Sequence, residues 1–144
     1  MIKIVLNNNN WGIFRLSNEG MCYYADLKGI TLYPELDNMR IVYWTIPPSE
    51  RAHYSLKKRR AASFKERDAM DVFYNENTLS NYDFNRTDPD LVKTVQHLGS
   101  RANGKRASLI LKEIKPGTRY RISDNNNDGR ETIEFQDEYD WFVA

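Results

Sequence analysis

Cys22 is the chain's single cysteine, which excludes an internal disulfide and any cysteine-cluster metal site. Two histidines, His53 and His97, are too few for a histidine-rich metal centre. No apolar run approaches the roughly 20 residues of a membrane span. No signal-peptide pattern precedes the first hydrophobic segment, so a cytoplasmic protein with no membrane association is expected. Catalytic signatures are missing as well: there is no nucleophile elbow, no phosphate-binding glycine loop and no paired His-Glu metal helix. Asn125-Asn126-Asn127-Asp128-Gly129 resembles the start of a calcium loop but lacks the twelfth-position glutamate and the flanking helices. No catalytic residue, metal or cofactor is therefore expected, and the residues alone indicate no reaction.

What is present is a chain of 144 residues, 40% hydrophobic and 28% charged, in keeping with one globular domain over 1–144. Its net charge of +1 conceals segregation. Arg51, Lys57, Lys58, Arg59, Arg60, Lys65 and Arg67 stand against Glu66 alone, and Arg101, Lys105, Arg106, Lys112, Lys115, Arg119 and Arg121 against Glu113 alone. The end is acidic, with Asp124, Asp128, Glu131, Glu134, Asp137, Glu138 and Asp140 offset only by Arg130. Such blocks create local fields that recruit an opposite charge, or serve as solvated faces and intersubunit matches.

Arg86 to Gly104 carries the clearest local signals. Asp88 is an N-cap, Pro89 fits the first helical position, and Leu91, Val95 and Leu98 fall on one face with Val92 beside them. Asn103-Gly104 is the expected stop, since both residues tolerate the left-handed conformation. Upstream, Ile2 to Leu6 reads as a central strand and Ser17 as the cap of a helix through Asp26 or Leu27, closed by Gly29. Ile30–Tyr33, stopped by Pro34, and Arg40–Ile46, stopped by Pro47-Pro48, read as strands. About 49–67 is a basic, exposed excursion, partly helical near Ala61 and Ala62, and Asp71–Tyr74 reads as a strand. After Gly104 the pattern alternates through Leu109 and Leu111, turns at Pro116-Gly117, returns at Arg119–Ile122, turns again at Asn125–Gly129 and ends at Thr132–Phe135. The sum is α+β: a largely antiparallel sheet, made of the N-terminal strand and a C-terminal meander, with two helices packed on it.

Candidate ligand contacts are arginines beside aromatics. Arg86 precedes a helix start, and Arg101 and Arg106 flank Asn103-Gly104; guanidinium groups suit phosphate oxygens. Phe84, Tyr82, Trp11 and Phe14 offer flat faces to a nucleobase. Asn103 can give and accept hydrogen bonds with a base or ribose edge. Each has a plainer alternative: Trp11 and Phe14 as core, Arg86 as partner of an acidic neighbour, Asn103 as a helix cap.

Arg86-Thr87-Asp88-Pro89-Asp90-Leu91-Val92, the Val95 to Gly99 spacing, Ala102-Asn103-Gly104 and the Leu109–Ile114 strand resemble a widespread family of small phage and prophage proteins. So do Ile4-Val5-Leu6-Asn7, Trp11-Gly12-Ile13-Phe14-Arg15-Leu16-Ser17, Lys28–Tyr33 and Asp128-Gly129 with Glu131. The chain departs at Ile13 and Arg15, where the family has glycines, at Asn7-Asn8-Asn9 and at Lys115-Pro116-Gly117. The family resembled is the anti-Thoeris sponges. The resemblance implies a phage anti-defence protein in the host cytoplasm that captures a signalling nucleotide, a cyclic ADP-ribose isomer or cyclic oligonucleotide, without cleaving it. It also implies a homo-oligomer, a dimer or hexamer, with Arg86, Asn103, Arg101, Arg106, Phe84, Trp11 and Phe14 around the ligand. The rival readings are a nucleic-acid-binding protein using 51–67, a small enzyme of nucleotide metabolism, and a protein-binding inhibitor using the acidic tail with Trp141-Phe142.

Overall fold

A computed structural model describes residues 1–37, 39–124 and 128–135. The fold is α+β, as expected, with four α-helices and seven antiparallel strands among the described residues. The chain divides into two compact units: residues 1–24 with 82–144, and residues 25–81.

In the first unit, β1 (Ile2–Asn7) pairs antiparallel with β5 (Leu109–Ile114), in a register that sets Ile2 opposite Ile114 and Leu6 opposite Ile110. The period-two pattern puts Ile4, Leu6 and Ile114 on one face, where they are buried together. Ile122 of β6 (Tyr120–Ser123) and Ile133 of β7 (Thr132–Phe135), themselves a hairpin, pack onto that face. α4 (Pro89–Leu98) also packs on β1 and β5, burying Leu91, Val92, Val95 and Leu98. At roughly 1.5–3 kcal/mol for each large apolar side chain removed from water, these contacts are the main source of the unit's stability.

The two helix starts follow the sequence. Asp88 Oδ1 accepts from Asp90 N at 2.9 Å above α4, and Ser17 Oγ accepts from Gly20 N at 2.9 Å at the start of α1 (Asn18–Leu27). Gly29, with φ of 72°, closes α1. The end of α4 differs from expectation. Gly99 at φ 57° ends it and a 3-10 turn spans Gly99–Ala102, while Asn103 is extended at φ −71°. The stop comes earlier because a glycine reaches the left-handed region at least cost.

In the second unit, β2 (Tyr33–Asp37), β3 (Arg40–Trp44) and β4 (Thr78–Leu79) form a three-stranded sheet in that order. Pro34 lies inside β2 and does not stop it, because β2 is an edge strand, where a missing N–H is tolerated. Trp44 is buried against Tyr54, Phe73 and Tyr74. The basic excursion is largely helical: α2 (Leu56–Ala61) is capped by Ser55, and α3 (Phe64–Asn77) by Ser63. Asp71–Tyr74, expected as a strand, lies within α3. The capping sequence Ser63-Phe64-Lys65-Glu66 starts a helix that overrides the local strand propensity of Val72-Phe73-Tyr74.

Among the described residues the antiparallel pairing is thus split among three small sheets and not gathered into one. There β1 has a single strand neighbour, and β6 pairs with β7 and not with β5. The turn through Asn125–Asn127 and the acidic, aromatic end with Trp141-Phe142 lie outside the described residues.

Candidate functional site

The first unit has an open cleft of about 490 Å³ where the turn after β1, the segment before α4, the segment leading into β5 and the loop before β7 meet. Trp11, Ile13, Phe14, Tyr82, Arg86, Arg106, Asp124, Asp128 and Glu131 supply its side chains.

Its floor is built from backbone. A Cβ on Gly12 would fall 2.1 Å from the Arg106 carbonyl oxygen, and one on Gly129, at φ 83°, 1.6 Å from the Gly12 carbonyl oxygen. Only glycine permits that stacking of three chain segments. Asn7, fully buried at the end of β1, ties them: its Nδ2 donates to Gly129 O at 2.8 Å and its Oδ1 accepts from Ser108 N at 2.9 Å. The Asn9 side-chain amide and Ile13 N both donate to Arg106 O at 3.0 Å.

Two residues on this floor hold a conformation that L-residues avoid. Trp11 sits at φ 58° and Arg106 at φ 64°. They are linked, because Arg106 Nη2 donates to the Trp11 carbonyl oxygen. Trp11 is 74% exposed, so its ring presents an open face, and Tyr82 is 59% exposed. Only this one donor of the Arg106 guanidinium has a partner among the described residues.

Arg86 is differently placed. Its Nη1 and Nη2 donate to Glu131 Oε1 and Oε2 at 2.6 and 2.8 Å, and its Cζ lies 3.5 Å from the centroid of the Phe14 ring. Glu131 Oε1 also accepts from Asn7 N at 2.8 Å. Arg86 therefore lines the cleft with its charge already matched, and fastens the loop before β7 to β1. Below it, Phe14 is buried against Phe84, Phe84 meets the edge of Tyr24 at 5.2 Å, and the Tyr24 hydroxyl donates to Asp88 Oδ2 at 2.7 Å.

No family model, curated protein or solved structure matches this chain.

Of the eight residues singled out from sequence, Trp11, Phe14, Tyr82, Arg86 and Arg106 line the cleft, and Arg101, Asn103 and Phe84 do not. Arg101 pairs with Glu19 at 3.0 Å, both side chains being largely exposed. Asn103 Oδ1 accepts from Leu109 N at 2.9 Å, securing the turn into β5. Phe84 packs beneath Phe14. The three arginines thus do not converge on one point. Sequence reasoning passed over the three carboxylates of the cleft, Asp124, Asp128 and Glu131. Asp124 accepts from Asp128 N and Gly129 N at 3.0 and 2.8 Å, a turn bond that Asp-x-x-x-Asp-Gly foreshadows; the tie between Arg86 and Glu131 has no local signature.

The basic segment of the second unit is also partly committed. Arg51 is buried, with Glu35 Oε2 at 2.6 Å and the Trp44 ring 5.0 Å away. Arg59 and Asp71 form a two-point pair at 2.7 and 3.0 Å, and Arg67 donates to the carbonyls of Arg59 and Arg60 at the end of α2. The hydrogen bond from Arg59 holds the Asp71 carboxyl below its ordinary value of 3.8, and burial pushes the Tyr54 hydroxyl up.

Proposed function

We propose that the cleft of the first unit binds a small nucleotide-type ligand and holds it without cleaving it. In this reading a nucleobase stacks on Trp11 and Tyr82, a phosphate takes the unpartnered donors of Arg106, and ribose hydroxyls donate to Asp124 and Asp128. The observation that carries the reading is the pairing of Trp11 with Arg106. Two linked residues, both in the left-handed region and both facing an open cleft, are held against a backbone preference worth roughly 1–2 kcal/mol each. Such strain is characteristic of positions kept for what they contact. The cleft volume lies within the range of small-molecule sites.

Joined to the resemblance to anti-Thoeris sponges, this makes the chain a phage anti-defence protein. Its ligand is an immune signalling nucleotide, a cyclic ADP-ribose isomer or a cyclic oligonucleotide, and it acts as a homo-oligomer. Sequestration requires affinity alone and no group that favours a transition state. A nucleic-acid reading of 51–67 is weaker, because Arg51, Lys58, Arg59 and Arg67 already hold partners within the unit.

The test is a thermal-shift screen against cyclic ADP-ribose isomers, cyclic dinucleotides and cyclic trinucleotides, followed by denaturation and recovery of any ligand found. A bound ligand at 100 times its dissociation constant adds about 2.7 kcal/mol, a rise of several degrees. The ligand should return intact. Recovery of a degraded product, or no shift with any of the three classes, refutes the proposal.

A further inference from the structure

The charges that line the first unit's cleft do not balance. Arg86 and Glu131 cancel each other as a two-point pair, which leaves Arg106 facing two carboxylates, Asp124 and Asp128. The lining therefore carries one negative charge in excess. Asn125, Asn126 and Asn127, between the two aspartates in sequence, are neutral side chains. Arg130, next along, is outside the lining and donates to Asn8 Oδ1 at 3.2 Å.

What the two aspartates hold is backbone. Asp124 accepts from Asp128 N and Gly129 N, and Asp128 Oδ1 accepts from Arg130 N at 3.0 Å. Neutral N–H groups steady a carboxylate without cancelling its charge, and among the described residues no cation pairs with either one. The second oxygen of Asp128 has no partner there at all. Trp11, exposed in the same lining, adds an aromatic face of the kind that attracts cations most strongly. A ligand made only of phosphates and neutral bases suits Arg106 and is repelled by the two aspartates. One whose base is a cation suits both.

We infer that the cleft selects a nucleotide whose base carries a positive charge, with the ring stacked on Trp11 in the field of Asp124 and Asp128 and a phosphate on Arg106. Two base chemistries fit: an N-ribosylated pyridinium, and a purine alkylated on a ring nitrogen. The inference rests on the nucleotide reading of the cleft and narrows it. Of the ligands in that reading it favours a cyclic ADP-ribose closed through a ring nitrogen of adenine, which makes the base cationic. Isomers closed between riboses, and cyclic oligonucleotides, have neutral bases and rank below it.

Isothermal calorimetry on the full chain at about pH 7, where carboxylates are ionised, compares two pairs alike in shape and different in ring charge. Nicotinamide mononucleotide is set against its dihydro form, and 7-methylguanosine monophosphate against guanosine monophosphate. The charged member of at least one pair should bind about tenfold more tightly, and the pair that shows it identifies the base. In Asp128→Asn, which keeps an acceptor for Arg130 N, that preference should fall to about threefold or less while the neutral member binds as before. High salt should shrink it as well. Circular dichroism verifies folding, and the salt dependence of the wild-type preference decides should the variant unfold. Equal affinities within both pairs, a preference for the neutral members, or a preference that neither salt nor Asp128→Asn reduces overturns the inference, while nucleotide capture stands because a nucleotide binds. Binding of none of the four overturns it too, and the screen with cyclic nucleotides then decides the wider reading.

Discussion

Replacing Glu131 by glutamine tests whether the Arg86 pair is a fastener of the first unit. The two side chains are 17% and 14% exposed, so water can do little to replace a lost partner. Glutamine keeps the shape of Glu131, but it removes the charge and turns an N–H₂ group toward a guanidinium that can only donate. The Arg86 cation, held otherwise by the Phe14 ring and by a 3.3 Å contact with Val5 O, is left nearly buried and uncompensated. Breaking a buried pair from one side costs about 3–5 kcal/mol, and the slight exposure here places Glu131→Gln near 3 kcal/mol. For a chain of this length that is a fall of about 9 °C in melting temperature. Urea unfolding of the wild type, Glu131→Gln, Arg86→Met and the Arg86→Met/Glu131→Gln double variant measures it. The double variant should be no less stable than Glu131→Gln, because it leaves no unpaired charge behind. A cost below about 1 kcal/mol for Glu131→Gln, the value of an exposed pair, refutes the reasoning. Strict additivity of the two single replacements does so too.

Three further perturbations follow from the same geometry. Gly129→Ala puts a methyl group against the Gly12 carbonyl at a left-handed position, and should destabilise the first unit by about 3 kcal/mol or more in the same urea assay. Trp11→Gly relieves a left-handed strain and removes an exposed ring. Its unfolding midpoint should equal or exceed that of the wild type, while calorimetric affinity for the nucleotide falls by about 5- to 150-fold, the worth of one stacked base. In the second unit, the Asp71 carboxyl is held below its ordinary value when folded, so its stabilising contribution is complete above the unfolded value and lost as pH falls through the folded one. Asp71→Asn should therefore be less stable than the wild type at pH 7 and should approach it below about pH 4, as read by urea midpoints across pH.

Residues whose signals are local were legible before the fold was known. Asp88 with Pro89, and Ser17 with Gly29, mark where α4 and α1 begin and where α1 ends, because a cap is settled by atoms within one turn. Asp71–Tyr74 misled for the converse reason: its strand propensity is real, but the Ser63 cap had already committed the chain to a helix. The strand segments of the first unit were visible as alternating hydrophobicity. Their division into two sheets, β1 with β5 and β6 with β7, was not, since partner choice depends on contacts such as Ile122 and Ile133 on Ile4 and Leu6. At the cleft, Trp11 and Arg106 stood out by residue type, whereas Glu131 reaches Arg86 from 45 positions away and nothing in its neighbourhood announces that. Asn103 attracted notice as a base reader, and its side-chain Oδ1 accepts from the backbone N–H of Leu109 instead.

The central claim is that the cleft of Trp11, Tyr82 and Arg106 captures a nucleotide and returns it unchanged. Isothermal calorimetry with cyclic ADP-ribose isomers and cyclic oligonucleotides, run on the wild type and on Arg106→Ala and followed by chromatography of the released ligand, addresses it directly. Saturable binding by the wild type, its weakening in a folded Arg106→Ala variant and an intact ligand at the end are the predicted results. Equal affinity in the two proteins, or a cleaved ligand, contradicts the account.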